Sequence, residues 1–214
     1  MNKSDGKNDR LTGIGERIHA RLTLVEEALG MTPGDAEIYG KWIASKAPEP
    51  ELAEDEVAAV GETEPVEDAT TCFPRTEDGT PFCWDYQIKG FFKDACSSLR
   101  RVPGTKSSKL TAFKKVIDGT VFVEQRRIPL ELPEGAVCGR CERPLRASSP
   151  SGERVALAAS ETVPAGTVLE FDILVMNPKD AETVREWLDY GRLRGLFQWR
   201  NSGKGRFEWE EVTR

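Results

Sequence analysis

The stretch GRLRGLFQWRNSGKGRF, residues 191–207, decides how this chain is read. It holds glycines at 191, 195, 203 and 205, the cations Arg192, Arg194, Arg200, Lys204 and Arg206, and no carboxylate. Glycine lets the main chain approach a ligand and expose its N–H groups, and guanidinium and ammonium groups donate charge-assisted hydrogen bonds to phosphates. Trp199, with Phe197 close by, offers a plane for an unpaired base. The loop suits a polyanion. In the alternative reading the glycines are caps and turn residues, and the cations balance Glu208, Glu210 and Glu211 just downstream.

Upstream of the loop, Asp180 is a suitable N-cap for a helix that turns Val184, Trp187 and Leu188 inward and stops at Gly191. Downstream, Phe207 to Val212 reads as a final strand. Near the other end of the chain, Ile18, Ala20, Leu22 and Leu24 alternate with His19, Arg21, Thr23 and Val25, the period of a half-buried strand. Ile88, Phe91, Phe92, Ala95 and Leu99 form one apolar stripe and predict a helix over 88–101, with Arg100 and Arg101 at its negative end. A short helix through Phe113 and Val116 follows. Extended segments are expected at 121–123 and 128–132, with a hairpin of 154–159 and 167–176 folded around Pro164-Ala165-Gly166. A further helix is expected between Pro33 and Pro48, with Ile38, Trp42 and Ile43 on one side.

This order of elements predicts an α+β domain, a ferredoxin-like antiparallel sheet with helices on one face, plus insertions. Residues 1–14 read as a flexible tail and 15–214 as one domain with an acidic insertion at 49–70. The net charge of -6 is concentrated there: between Glu49 and Asp68 stand nine carboxylates and no cation. Without them the balance is 30 cations to 36 - 9 = 27 carboxylates, a net of +3. From 86 to 127, ten Lys/Arg face three Asp/Glu. That stretch and the loop are the expected polyanion footprint. The insertion reads as a solvated linker, or else as an imitation of nucleic-acid charge that docks on a basic partner.

Other constellations are sparse. The single histidine, His19, on the polar face of the first strand, is the candidate for general acid/base cleavage of RNA. Cys138 and Cys141 have the spacing of half a tetrahedral zinc site, which Cys72 and Cys83 would have to complete from another loop. PGTKSSK, 103–109, has phosphate-loop composition without the order of a nucleotide-binding loop. No cofactor is expected. Five cysteines without the spacing of a stapled secreted domain, and no apolar run of membrane-spanning length, point to a cytoplasmic protein.

A glycine-rich loop between the last helix and last strand of such a unit resembles the signature of the RAMP superfamily, the RNA-binding proteins of CRISPR effector complexes. WDYQIKGFFKDACSSLRR, 84–101, is similar to their motif of a turn leading into a helix with a Lys-Gly pair and a following arginine, here Lys89, Gly90 and Arg100. In the loop, Phe197 stands where the family's second glycine would be. WIASKAP, CERPLRASSPSGERVALAASETVPAG and REWLDYGRLRG together resemble an uncharacterised phage and prophage family. The resemblance implies a non-enzymatic RNA-binding protein, with RNA, a ribonucleoprotein, CRISPR-associated proteins or further copies along the RNA as partners. Its RNA-binding residues would be Lys89, Lys93, Arg100, Arg101, Lys106, Lys109, Arg192, Arg194, Trp199, Arg200, Gly203, Lys204, Gly205 and Arg206. The alternatives are a phage inhibitor docking on a host CRISPR complex, and a metal-independent endoribonuclease using His19.

Overall fold

A computed structural model of the chain describes residues 13–34, 71–149 and 152–213, the side chains of 144–149 and 152–157 excepted. The tail up to residue 12, the helix expected between Pro33 and Pro48, and the acidic insertion lie outside the described residues.

The first strand, β1 (Glu16–Leu24), forms where the alternation predicted it. Ile18, Ala20, Leu22 and Leu24 are all buried. After the short strands β2 (Ala28–Leu29), β3 (Thr32–Pro33), β4 (Thr71–Cys72) and β5 (Phe82–Trp84), the chain enters helix α1 (Asp85–Leu99). The Trp84 amide donates to Gln87 Oε1 at 2.9 Å, satisfying one group at the helix start. Of the expected stripe, Ile88, Phe91, Phe92 and Ala95 are buried and Leu99 is half-buried, and Cys96 is buried beside them. Helix α2 (Phe113–Thr120), β6 (Val121–Val123) and β7 (Arg127–Pro129) follow. The rest of the chain is β8 (Gly139–Ser149), β9 (Gly152–Val163), β10 (Val168–Val175), helix α3 (Ala181–Asp189) and β11 (Phe207–Glu211).

Four strands make the central antiparallel sheet in the order β11-β1-β10-β6. Its inward side chains meet α1 and α3 in one core, where Phe91 packs edge-on to Phe207 at 5.3 Å and Phe92 lies 5.6 Å from Trp187. Burying large aromatic rings between helix and sheet is the main stabilising term here. A second sheet runs β2-β9-β4-β3 with β8 on β9, and β5 pairs with β7 in a separate ribbon.

The expected hairpin around Pro164-Ala165-Gly166 is not formed. β9 pairs instead with β8, from Gly139↔Thr162 to Ser149↔Gly152, and β10 pairs with β1 and β6. Residues 164–167 therefore switch the chain between sheets. The turn is tied to the end of β1, with Gly166 N–H donating to Leu24 O at 2.7 Å and Leu24 N–H to Thr167 O at 2.9 Å. The long β1 ladder and its buried face outcompete a local hairpin.

Candidate nucleic-acid interface

Between α3 and β11 the chain doubles back on itself. A Cβ on Gly191 would overlap the Phe207 ring, one on Gly195 the Lys204 carbonyl, and one on Gly205 the Leu196 carbonyl. The two limbs of the loop thus touch backbone to backbone, closed by Leu196 N–H donating to Gly205 O at 2.8 Å. Gly203 and Gly205, at φ 81° and 68°, supply the reversal. These glycines serve the loop's own packing. Phe197 reaches φ 64°, a glycine-like backbone, while its ring is buried edge-on to Phe73 at 5.4 Å. The missing second glycine is replaced in conformation by a residue that its ring anchors in the core.

The loop cations all have partners. Arg194 Nε donates to Asp94 Oδ2 at 2.7 Å and Arg200 Nη1 to the same oxygen at 3.0 Å. The hydrogen bond to Asp94 holds the Arg194 guanidinium still more firmly in its charged form. Arg206 reaches Glu26 at 2.8 Å, Lys204 pairs with Glu27, and Arg192 lies 3.5 Å from Glu208. The balancing of cations by Glu208 holds for Arg192 alone. The other partners come from distant segments.

One cluster keeps a cationic excess. The Arg143 guanidinium, carried by β8, lies over the half-buried Trp199 ring at 4.3 Å and donates to Ser202 Oγ at 2.9 Å. Arg194 and Arg200, the latter next to Trp199 in the chain and the former also bonded to Asn201, share the carboxylate of Asp94, so that among the described residues these three arginines have that one carboxylate between them, and the Arg194, Arg200 and Asp94 side chains are each about a quarter exposed. Trp199 itself sits at φ 53°. Neither Arg143 nor Asp94 was among the expected site residues. Arg143 falls within a polar strand whose partner was misassigned, and Asp94 is one of only three carboxylates in a basic stretch.

The 86–127 stretch divides in two. Lys93 pairs with Asp118 at 2.6 Å, and Lys89 donates to the Asp118 carbonyl at 3.3 Å while its ammonium, partly buried, is pushed below the usual lysine range. Lys106 meets Glu182 at 3.3 Å. The loop after α1 is pinned by Glu186, whose carboxylate accepts from Lys106 N at 2.7 Å, Ser107 N at 2.9 Å and Ser107 Oγ at 2.6 Å. PGTKSSK is thus a packed connection. Arg100 lies over the Phe113 ring at 5.2 Å, and Arg101 and Lys109 are exposed.

Cys72 and Cys138 both lie beside the Arg75–Glu161 pair, whereas Cys83 sits in a separate ribbon. Cys83 is fully buried in the β5–β7 ribbon, and Cys72 lies on β4, where burial, chiefly, pushes its thiol up to about 11. Cys138 and Cys141 are half-buried, and all five are free thiols. Among the described residues no three His, Cys, Asp or Glu side chains are placed to hold a metal ion.

His19 is set on the open face of the central sheet. Its Nδ1 bonds Asp172, whose other oxygen accepts from Gln125 Nε2 at 2.6 Å. Arg21 nearby pairs with Glu170 at 3.4 Å and Glu210 at 3.8 Å, and Arg17 with Glu124 at 3.1 Å. Among the described residues carboxylates outnumber cations on this face, which disfavours a phosphate backbone there.

No family model and no curated protein matches the sequence. Among solved structures, a chain of the Type III-B Cmr-beta complex bound to cognate target RNA, determined by cryo-EM, aligns with a TM-score of 0.52 at 12% identity, over 94% of this chain and 60% of that one. The fold is similar to that of this Cmr-beta chain. The chain spans about three-fifths of the length of that Cmr-beta chain. A chain of a Type IV-B CRISPR complex aligns at TM-score 0.44 and 13% identity, covering 92% and 91% of the two chains. Cmr6 from Pyrococcus furiosus gives 0.46 and 12%, over 92% and 98%. Among the described residues no helix is long and apolar enough to cross a membrane.

Proposed function

We propose that this protein is a non-enzymatic RNA-binding subunit that holds RNA, or a ribonucleoprotein, at the Trp199 cluster. Three arginines against one carboxylate around a half-buried indole carry the reading. Arg143 already stacks on that ring, and a base presents the same kind of flat, polarisable face to it. Arg194 and Arg200 stand ready to exchange Asp94 for a phosphate. The sheet order β11-β1-β10-β6 with α1 and α3 against it supports a ferredoxin-like unit of RAMP type. The Cmr-beta complex was solved on its cognate target RNA, and that likeness supports RNA or a ribonucleoprotein as partner; a CRISPR-associated setting in the cytoplasm, with effector proteins or further copies of this chain, is part of the proposal. The free thiols fit a reducing compartment.

Cleavage at His19 is disfavoured by the acidic face around it, and docking on a host complex as a phage inhibitor rests on the 49–70 segment, outside the described residues. The test is purification from a native host followed by ultraviolet absorbance and sequencing of retained RNA. Retention in the wild type, lost on Arg143→Glu with Arg200→Glu, is the expected result. Protein free of nucleic acid at low salt sinks the reading. His19→Ala is expected to leave any bound RNA intact, as in the wild type.

A further inference from the structure

Between Asp94 and Asp118 the chain carries six cations and no carboxylate, and folding gathers them at the corner joining α1 to α2. Arg100 ends α1, with its amide on the Cys96 carbonyl at 2.9 Å, and its guanidinium lies over Phe113, the first residue of α2. The intervening turn is held by Thr105 Oγ1 donating to the Leu99 carbonyl at 2.9 Å and by Trp187 Nε1 donating to Ser107 Oγ at 2.9 Å. Lys106 is neutralised by Glu182. Arg101, Lys109, Lys114 and Lys115 are exposed and, among the described residues, have no carboxylate partner.

Two of these cations stand where a helix disfavours them. Lys114 and Lys115 lie in the first turn of α2, at the positive end of its dipole, and Ala112 before them, at φ 49°, provides no side-chain cap. Like charges gathered at a positive helix end raise the free energy of the unbound protein, and a polyanion relieves this. We infer that the α1–α2 corner is a second contact for the RNA, gripping its phosphate backbone without reading bases. Phe113, the one aromatic residue between Asp94 and Asp118, is buried beneath Arg100, and Trp187 behind the turn is fully buried, so among the described residues neither ring offers a stacking plane. The Trp199 cluster holds bases; the corner holds charge. This rests on the RNA-binding reading above.

The experiment compares the wild type, Arg101→Gln/Lys114→Gln/Lys115→Gln and Trp199→Ala for binding to labelled oligouridylate and oligoadenylate across a salt series. The side chains of the triple variant are exposed, and circular dichroism verifies that each variant is folded. For the triple variant the expected result is a loss of about tenfold in affinity, equal for both oligonucleotides. The slope of log K against log salt should become shallower by about 2, from about 0.7 for each of three lost phosphate contacts. Trp199→Ala is expected to weaken binding with the slope nearly unchanged. An unchanged slope in the triple variant, with the wild type binding, overturns this inference and leaves the proposed function standing. Failure of the wild type to bind either oligonucleotide overturns both. Corner-dependent binding to phosphatidylserine vesicles in place of RNA overturns the inference in favour of a membrane.

Discussion

The glycine-rich loop and the α1–α2 corner are both basic in sequence, yet the fold treats their charges in opposite ways. Each loop cation meets a carboxylate, and four of the five pairings reach far away in the chain: Asp94 for Arg194 and Arg200, Glu27 for Lys204, Glu26 for Arg206. At the corner four cations keep solvent as their only counter-charge among the described residues. A run of like charge therefore marks a binding surface only after the tertiary partners are counted. Half-exposed ion pairs of this kind are worth little to stability, so they remain exchangeable for a phosphate. Unpaired cations need no exchange.

The comparison breaks most sharply at the loop's glycines. Gly195→Val would drive a branched side chain into the Lys204 and Gly205 backbone, and a stability loss of about 4 kcal/mol or more is expected from thermal denaturation, far beyond any single substitution at the corner. Phe197→Gly restores the glycine of the family motif. It relieves about 1 kcal/mol of backbone strain but forfeits about 3–5 kcal/mol of ring burial, so a net loss of about 3 kcal/mol is expected in denaturant unfolding.

Glu186→Gln sharpens the contrast from the other side, since this carboxylate accepts three hydrogen bonds that fix the approach to the corner. A loss of about 1–2 kcal/mol is expected, with faster amide exchange at Lys106 and Ser107 read by NMR. Asp94→Asn has the smallest effect on stability, about 1 kcal/mol or less, because its pairs are partly screened. It frees Arg194 and Arg200, so RNA should bind several-fold tighter with a steeper salt dependence. Unchanged binding would mean the loop takes no part in holding RNA.

Periodicity made the core legible. The alternation of Ile18, Ala20, Leu22 and Leu24 and the stripe from Ile88 to Leu99 placed β1 and α1, because both elements have one buried face. The β8–β9 ladder was hidden, as Glu142 and Arg143 and much of the strand are polar and carry little apolar alternation. The Pro-Ala-Gly turn looked local because nothing near it in sequence reveals that Phe171 and Ile173 pair with Ala20 and Ile18. The loop's position and its cations were legible. Their neutralisation was not, since it depends on side chains brought in by the fold. Lys114 and Lys115 were visible in the charge count, but only the uncapped start of α2 distinguishes them from an ordinary solvated helix face.

The turn at 164–167 has a mechanical consequence. Four residues join the long β8–β9 arm to β10, and two hydrogen bonds lash them to the end of β1. So short a connection has a fully extended reach of at most about 14 Å, and it is drawn tighter by Thr167 Oγ1 donating to the Pro164 carbonyl at 2.7 Å. A tug on the arm that carries Arg143, such as a strand of RNA under tension would exert, therefore passes straight into the middle of the central sheet and is not absorbed by a compliant loop.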